Sequence, residues 1–186
     1  MNENENPDHL ELTRLLQQAK PLMEPLFPDQ KKSWAADSPL AQEIAMILVK
    51  HPEYYDEIRA HVGWLESQPN FDLAVCVHED WESTGFYLYE LNPAKRPSLA
   101  EPMISAVSRF FPIDPSPLIE GREAKGGIIR PVGNPLEREK WPEAIYLQAH
   151  HTNLSYTLES ASALALERRI AALRAALRTA IARICA

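Results

Sequence analysis

Apolar and polar positions alternate along this chain with two different periods, and the change of period falls near residue 70. Before it the spacing is helical. Leu10, Leu12, Leu15 and Leu16 supply an apolar stripe from Asp8, a good capping residue, to about Ala19. Pro21, Pro25 and Pro28 then interrupt the chain, and residues 29–37 form a polar loop. Asp37 or Ser38 is placed to cap a second helix, with Pro39 at its first position and Leu40, Ile44, Ile47 and Leu48 along its face. Pro52 opens a third, through Tyr55, Ile58, Val62 and Leu65, which Gln68-Pro69-Asn70 ends.

From Phe71 the pattern becomes strand-like. Strands are predicted at 71–78 and 85–91, and Asn92-Pro93 closes the second. Residues 98–110 return to helical spacing. Residues 111–143 form a long connection rich in Pro and Gly, with a brief strand at Ile128-Ile129; a connection of that length is commonly functional or disordered. Short strands are expected at Ala144–Leu147 and Ser155–Leu158. The last helix, Ala163 to about Ile184, sets Leu166, Ile170, Leu173, Leu177, Ile181 and Ile184 at three- and four-residue steps, a stripe expected to pack against the sheet. Arg168, Arg169, Arg174, Arg178 and Arg183 make its other positions basic, as a solvated face would be. The resulting organisation is a helical N-terminal segment over 1–50 and an α/β domain over 51–186.

Composition narrows the function. The chain has 186 residues, 45% of them hydrophobic and 24% charged, which suits one folded domain of ordinary size. A formal net charge of -7 argues against nucleic acid or an anionic membrane as partner. No apolar run approaches the roughly 20 residues of a membrane-spanning helix. The start, MNENENPDHLEL, has neither the basic opening nor the apolar core of a secretory signal. Cys76 and Cys185 are the only cysteines, in a predicted core strand and beside the C-terminus, which points to a reducing, cytoplasmic setting.

Candidate chemistry gathers at the ends of the predicted strands, where open α/β sheets carry their sites. His78 closes the first strand and is followed by Glu79, Asp80 and Glu82. A His so placed is either a divalent-metal ligand, its tautomer fixed by a neighbouring carboxylate, or a hydrogen-bonded structural His. Glu159 ends the run YTLE ahead of the last helix: a general base on a metal-bound water, or a helix-start carboxylate stabilised by the dipole. His150-His151 is an adjacent pair in a polar stretch, able to ligate a metal or simply exposed. Glu57 and His61 share a helix face. Arg122 and Arg130 in the long connection are either simply exposed loop arginines or available to attract a carboxylate.

The segments FDLAVCVHEDWESTGFYLYELNP, WPEAIYLQAHHT and YTLESAS, in that order, resemble the zinc metallocarboxypeptidases, bordering on the succinylglutamate desuccinylase and aspartoacylase group. The resemblance runs from about Glu57 to the C-terminus. It implies a mixed, mainly parallel twisted sheet flanked by helices, and hydrolysis of an amide bond next to a free carboxylate in a peptide or N-acyl amino acid. It makes His78 a zinc ligand and Glu159, in Thr157-Leu158-Glu159, the general acid/base. Two parts of the family pattern are missing. None of the six histidines has Glu at the third following position, so the H-x-x-E ligand pair is absent, and so is the Asn-Arg pair that holds the substrate carboxylate. The expectation is therefore an N-terminally incomplete carboxypeptidase-like fold with impaired or no activity, or a non-catalytic binding domain derived from it. An open sheet edge would also invite self-association.

Overall fold

The structure, a computed structural model, describes Arg14, residues 52–138 and residues 141–186. It divides into two units, Met1–Gln68 and Pro69–Ala186. In the first, helix α1 spans Pro52–Glu66, matching the third predicted helix. Its end is closed by Ser67 and Gln68, whose amides donate to the carbonyls of Trp64 and Leu65 at 3.1 and 2.9 Å. The helices expected near 8–19 and 38–48 lie outside the described residues, apart from Arg14, which is helical.

The second unit is built on a six-stranded mixed sheet in the order β1-β6-β2-β5-β4-β3. β1 is Ala74–Asp80, β2 Tyr87–Leu91, β3 Leu118–Ile119, β4 Arg122–Lys125, β5 Ile128–Ile129 and β6 Ser155–Ala161. β1 pairs with β6, and β2 with β5, in parallel; β6–β2, β5–β4 and β4–β3 pair antiparallel. The α/β class and mixed sheet are those expected.

The long connection holds β3, β4 and β5, not only the anticipated pair Ile128-Ile129. Each of its two hairpins turns on two residues at positive φ, Glu120-Gly121 (48° and 71°) and Gly126-Gly127 (60° and 74°), the backbone shape that matches strand twist. Gly127 also lies against the segment before β3: a Cβ there would come 2.5 Å from Ile113 Cγ2. Gly85, just before β2, lies against backbone atoms, with an added Cβ 2.6 Å from the amide nitrogen of Asp114. That approach lets Phe86 and Ile113 bridge, Phe86 donating to the Pro112 carbonyl at 2.8 Å and Asp114 to that of Phe86 at 3.0 Å. Asp114, itself buried, accepts from the amide and hydroxyl of Thr84 at 3.0 and 3.1 Å.

Alternation along the strands sends Leu88, Ile128, Tyr156 and Leu158 to one face. Helices α2 (Ala100–Val107) and α4 (Leu166–Ile184) cover it, and Met103, Val107, Phe86 and Leu154 complete the core. The long helix seats itself differently from the expected Leu/Ile stripe. Ala172, Ala176 and Ala180 are its fully buried row; Leu173, Leu177 and Ile184 are partly buried, and Leu166, Ile170 and Ile181 stay 53%, 45% and 57% exposed. A row of alanines lets a helix backbone approach its neighbours more closely than a row of leucines, and that approach selects the face. Nor is the basic side wholly solvated: Arg169 forms an ion pair with Glu79 on β1, and the Arg168 guanidinium lies 5.7 Å from the centre of the Phe111 ring.

The opposite face of the sheet is covered by helix α3, Glu143–His150. A strand was expected at Ala144–Leu147. Pro142, with φ fixed near the helical value, and Glu143 in the first turn start a helix instead, and Ala144, Ile145 and Leu147 form its buried side. The apolar run is too short for a period to separate the two shapes.

Candidate functional site

Strand register assembles the site. In the parallel pair, His78 lies directly opposite Glu159, and on the other side of β6 Glu159 lies opposite Tyr87. Cross-strand partners share a face, so the three point the same way, toward α3. One step along the same face come Cys76, Thr157 and Tyr89. His78 was expected at the strand's tip and Glu159 at a strand end; β1 continues to Asp80 and β6 to Ala161, so both stand inside their strands.

Two tyrosines that the sequence did not single out bracket the pair. The Tyr87 hydroxyl donates to Asp80 Oδ2 at 3.0 Å, and the Tyr89 hydroxyl donates to Glu120. Both hydroxyls are held protonated above their ordinary range, first by burial. Nearby carboxylates add to this, chiefly Glu159 for Tyr87 and Glu120 for Tyr89. Glu159 is half-buried among like charges. Burial, then the Glu120 and Asp80 carboxylates, push its pKa from 4.5 up to about 7. It is thus near half protonation at neutral pH, the condition under which one carboxyl can both take and give a proton. Cys76 is no nucleophile: burial, then the Glu143 carboxylate, push its thiol up to about 12.

Above this face lies a cavity of about 410 Å³. His78, Thr157, Glu159 and Tyr89 form its floor, Glu143, Ala144 and Ile145 of α3 one wall, and Glu120, Arg122, Pro131, Pro135 and Arg138 the other. Its size falls within the range of small-molecule sites.

Of the remaining candidates, Asp80 belongs to this neighbourhood through Tyr87, and Arg122 lines the cavity. Glu79 points to the other face, with Arg169. Arg130 is engaged elsewhere: its Nε meets Glu90 Oε2 at 2.5 Å, and its Nη2 meets Glu101 Oε1 at 2.8 Å. Buried Glu90 is satisfied further by the Tyr156 hydroxyl at 2.8 Å, so Arg130 neutralises a carboxylate under the sheet. His150 and His151 pack as aromatics: His151 is buried with its ring centre 5.5 Å from that of Phe71, and His150 lies 4.7 Å from the Tyr146 ring. Glu57 and His61 are on α1 in the first unit. Among the described residues no three His, Cys, Asp or Glu side chains converge so as to hold a metal ion. A catalytic zinc takes three protein ligands, so these residues do not build its site.

No protein-family model matches the chain, and no curated protein does. Solved structures do. One, described as a "putative metallopeptidase" from Shewanella amazonensis SB2B, aligns with a TM-score of 0.55 and 20% identity over 81% of this chain and 49% of its own. A second of the same description, from Shewanella denitrificans OS217, gives 0.57 and 19% over 70% and 48%. A third, from Shewanella baltica OS155, gives 0.51 and 18% over 74% and 46%. The chain has a metallopeptidase-like fold. It spans about half the length of these neighbours. Among its described residues no helix is long and apolar enough to cross a membrane.

Proposed function

We propose that this fold carries the acid/base half of a metallocarboxypeptidase-type hydrolase, acting on an amide bond next to a free carboxylate in a peptide or N-acyl amino acid. The observation that carries the reading is the placement of Glu159, directly across from His78 on the floor of a substrate-sized cavity, where burial and neighbouring carboxylates raise its pKa to about 7. Glu159 takes a proton from the attacking water and returns it to the leaving amine. Tyr87 and Tyr89 hold Asp80 and Glu120 beside it and so keep its proton affinity high. Zinc is the metal the resemblance implies, and His78 is its one candidate ligand here.

Because the described residues supply no three-ligand set, the chain by itself is expected to have impaired or no turnover. The second reading, a non-catalytic binding domain of this descent, rests on that same deficit. Purified protein should contain less than one tightly bound zinc per chain; stoichiometric zinc with peptidase activity that His78→Ala abolishes would overturn the impairment. NMR titration of the Glu159 carboxyl carbon tests the acid/base part, and a midpoint near 4.5 instead of 7 removes it. Self-association belongs to the same reading: among the described residues β1 ends the sheet, with Val77 47% exposed. Gel filtration should show species larger than the 21.1 kDa chain.

A further inference from the structure

A second cavity, of about 380 Å³, opens at the far end of β2. Leu91, in its lining, stands four positions along the strand from Tyr87, the cross-strand partner of Glu159, which is about 13 Å of extended chain. Leu91, Pro131 and Pro135 belong to both linings, so the two cavities adjoin.

Most charges around the second cavity are satisfied within the protein. Glu90 has one oxygen on Arg130 Nε at 2.5 Å and the other on the Tyr156 hydroxyl at 2.8 Å, and Arg130 also meets Glu101 at 2.8 Å. Lys95 differs. It lines the cavity, is exposed, and has no ion-pair partner among the described residues. Its backbone is also unusual: φ is 51°, in the left-handed region that glycine fills at little cost and lysine does not. The turn imposes this shape. The Lys95 amide donates to the Asn92 carbonyl at 3.1 Å, and the Asn92 side chain clamps Arg96, accepting its amide at 2.9 Å and donating to its carbonyl at 2.7 Å. A lysine kept where glycine would relieve strain points to a use for its side chain, since such outliers gather at ligand sites.

Gln148 of α3 supplies a neutral polar group. Its Oε1 is enclosed and meets no donor among the described residues. Turning the amide over exchanges oxygen and nitrogen, so it can offer the cavity a donor or an acceptor. Leu91, Pro93, Pro131 and Pro135 make the remaining lining largely apolar and, through the proline rings, stiff. An uncompensated ammonium beside a preformed apolar hollow suits an anion with an apolar body.

We propose that this cavity binds a small organic anion. The head group, a carboxylate or a phosphate monoester, pairs with the Lys95 ammonium and accepts a hydrogen bond from the Gln148 amide, and the apolar body lies among the prolines. The site is separate from Glu159 and needs neither metal nor hydrolysis.

The test is titration of isotope-labelled full-length protein with benzoate, phenyl phosphate and benzyl alcohol, followed by NMR shifts. At least one anion should give saturable shifts at Lys95, Gly133 and the Gln148 side-chain amide, and the tighter of the two identifies the head group. Benzyl alcohol, with the same ring and no charge, should bind roughly fivefold or more weakly. Lys95→Gln should remove that preference. Lys95→Gly should remove it too and raise the melting temperature, because glycine relieves the left-handed backbone. Lys125→Gln on β4 should change neither. Glu159→Gln should leave anion binding intact, so the hydrolytic reading can fail without this one. No saturable shift with either anion, equal binding of benzyl alcohol, a preference that survives Lys95→Gln, or shifts confined to Thr157 and Glu159 would each overturn the proposal.

Discussion

On β6, Tyr156 and Leu158 turn toward α2 and α4 and are fully buried, while Thr157 and Glu159, one position away, turn toward α3 and the cavity. The same division runs through β2, where Leu88 joins the core and Tyr87 and Tyr89 hold carboxylates. The two faces also treat a buried acid in opposite ways. Glu90, beneath the sheet, is 5% exposed and is met by Arg130 and the Tyr156 hydroxyl. Glu159, on the upper face, has carboxylates for neighbours and a raised pKa. A carboxylate given a counterion stabilises the fold; one denied it becomes a proton carrier. The difference between scaffold and chemistry is here a matter of which side of one strand a residue faces.

That contrast can be broken from either side, and the largest effect should come from the core. Leu158→Ala removes a fully buried side chain and should cost about 3 kcal/mol of unfolding free energy in urea, with the cavity left behind included. Arg130→Ala strands Glu90 without its cation; because Arg130 is itself 46% exposed, a loss of about 2 kcal/mol is expected at pH 7, smaller in a Glu90→Gln background. Glu159→Gln should act in the other direction. The folded-state pKa of Glu159 lies above the ordinary 4.5, so its contribution to stability is fully present below pH 4.5 and is lost as pH rises through about 7. The variant escapes that loss and should gain roughly 1 kcal/mol over wild type at pH 8, after allowance for solvent screening, and nothing at pH 4. A fall in melting temperature at pH 8 would instead make Glu159 a structural residue. The smallest effect concerns the thiols. At pH 8 the native protein should react rapidly with a thiol reagent at exposed Cys185 only, and buried Cys76 should react on denaturation.

The sequence was most informative where periods are long or turns specific. β1, β2, α1 and α2 lie within a few residues of their predicted bounds, because alternation, proline and Asn-Pro mark them clearly. β5 was anticipated from the pair Ile128-Ile129, but β3 and β4, with two and four residues, are too short for any period, and only the glycines of their turns gave a signal. In α4 the strongest hydrophobic stripe was not the buried one, since close approach rewarded alanine over leucine. The site was legible in part. His78 and Glu159 stood out as residue types, but their pairing is a fact of register between distant strands, suggested beforehand only by family resemblance. Tyr87 and Tyr89 could have been found from their two-residue spacing, which puts both on one face of β2. Arg138 carried no local mark; a capped 3-10 turn brings it to the cavity.

The pairing of β1 with β6 has a kinetic side. His78 and Glu159 are neighbours in space but about eighty residues apart in sequence, and parallel strands so separated meet only after a long loop has closed, which makes their pairing slow. The β3–β4 and β4–β5 hairpins close across two-residue turns and can form within microseconds. During refolding the wall that carries Arg122 is therefore expected to form early, while the floor that carries the acid/base pair waits for strands far apart in sequence to meet.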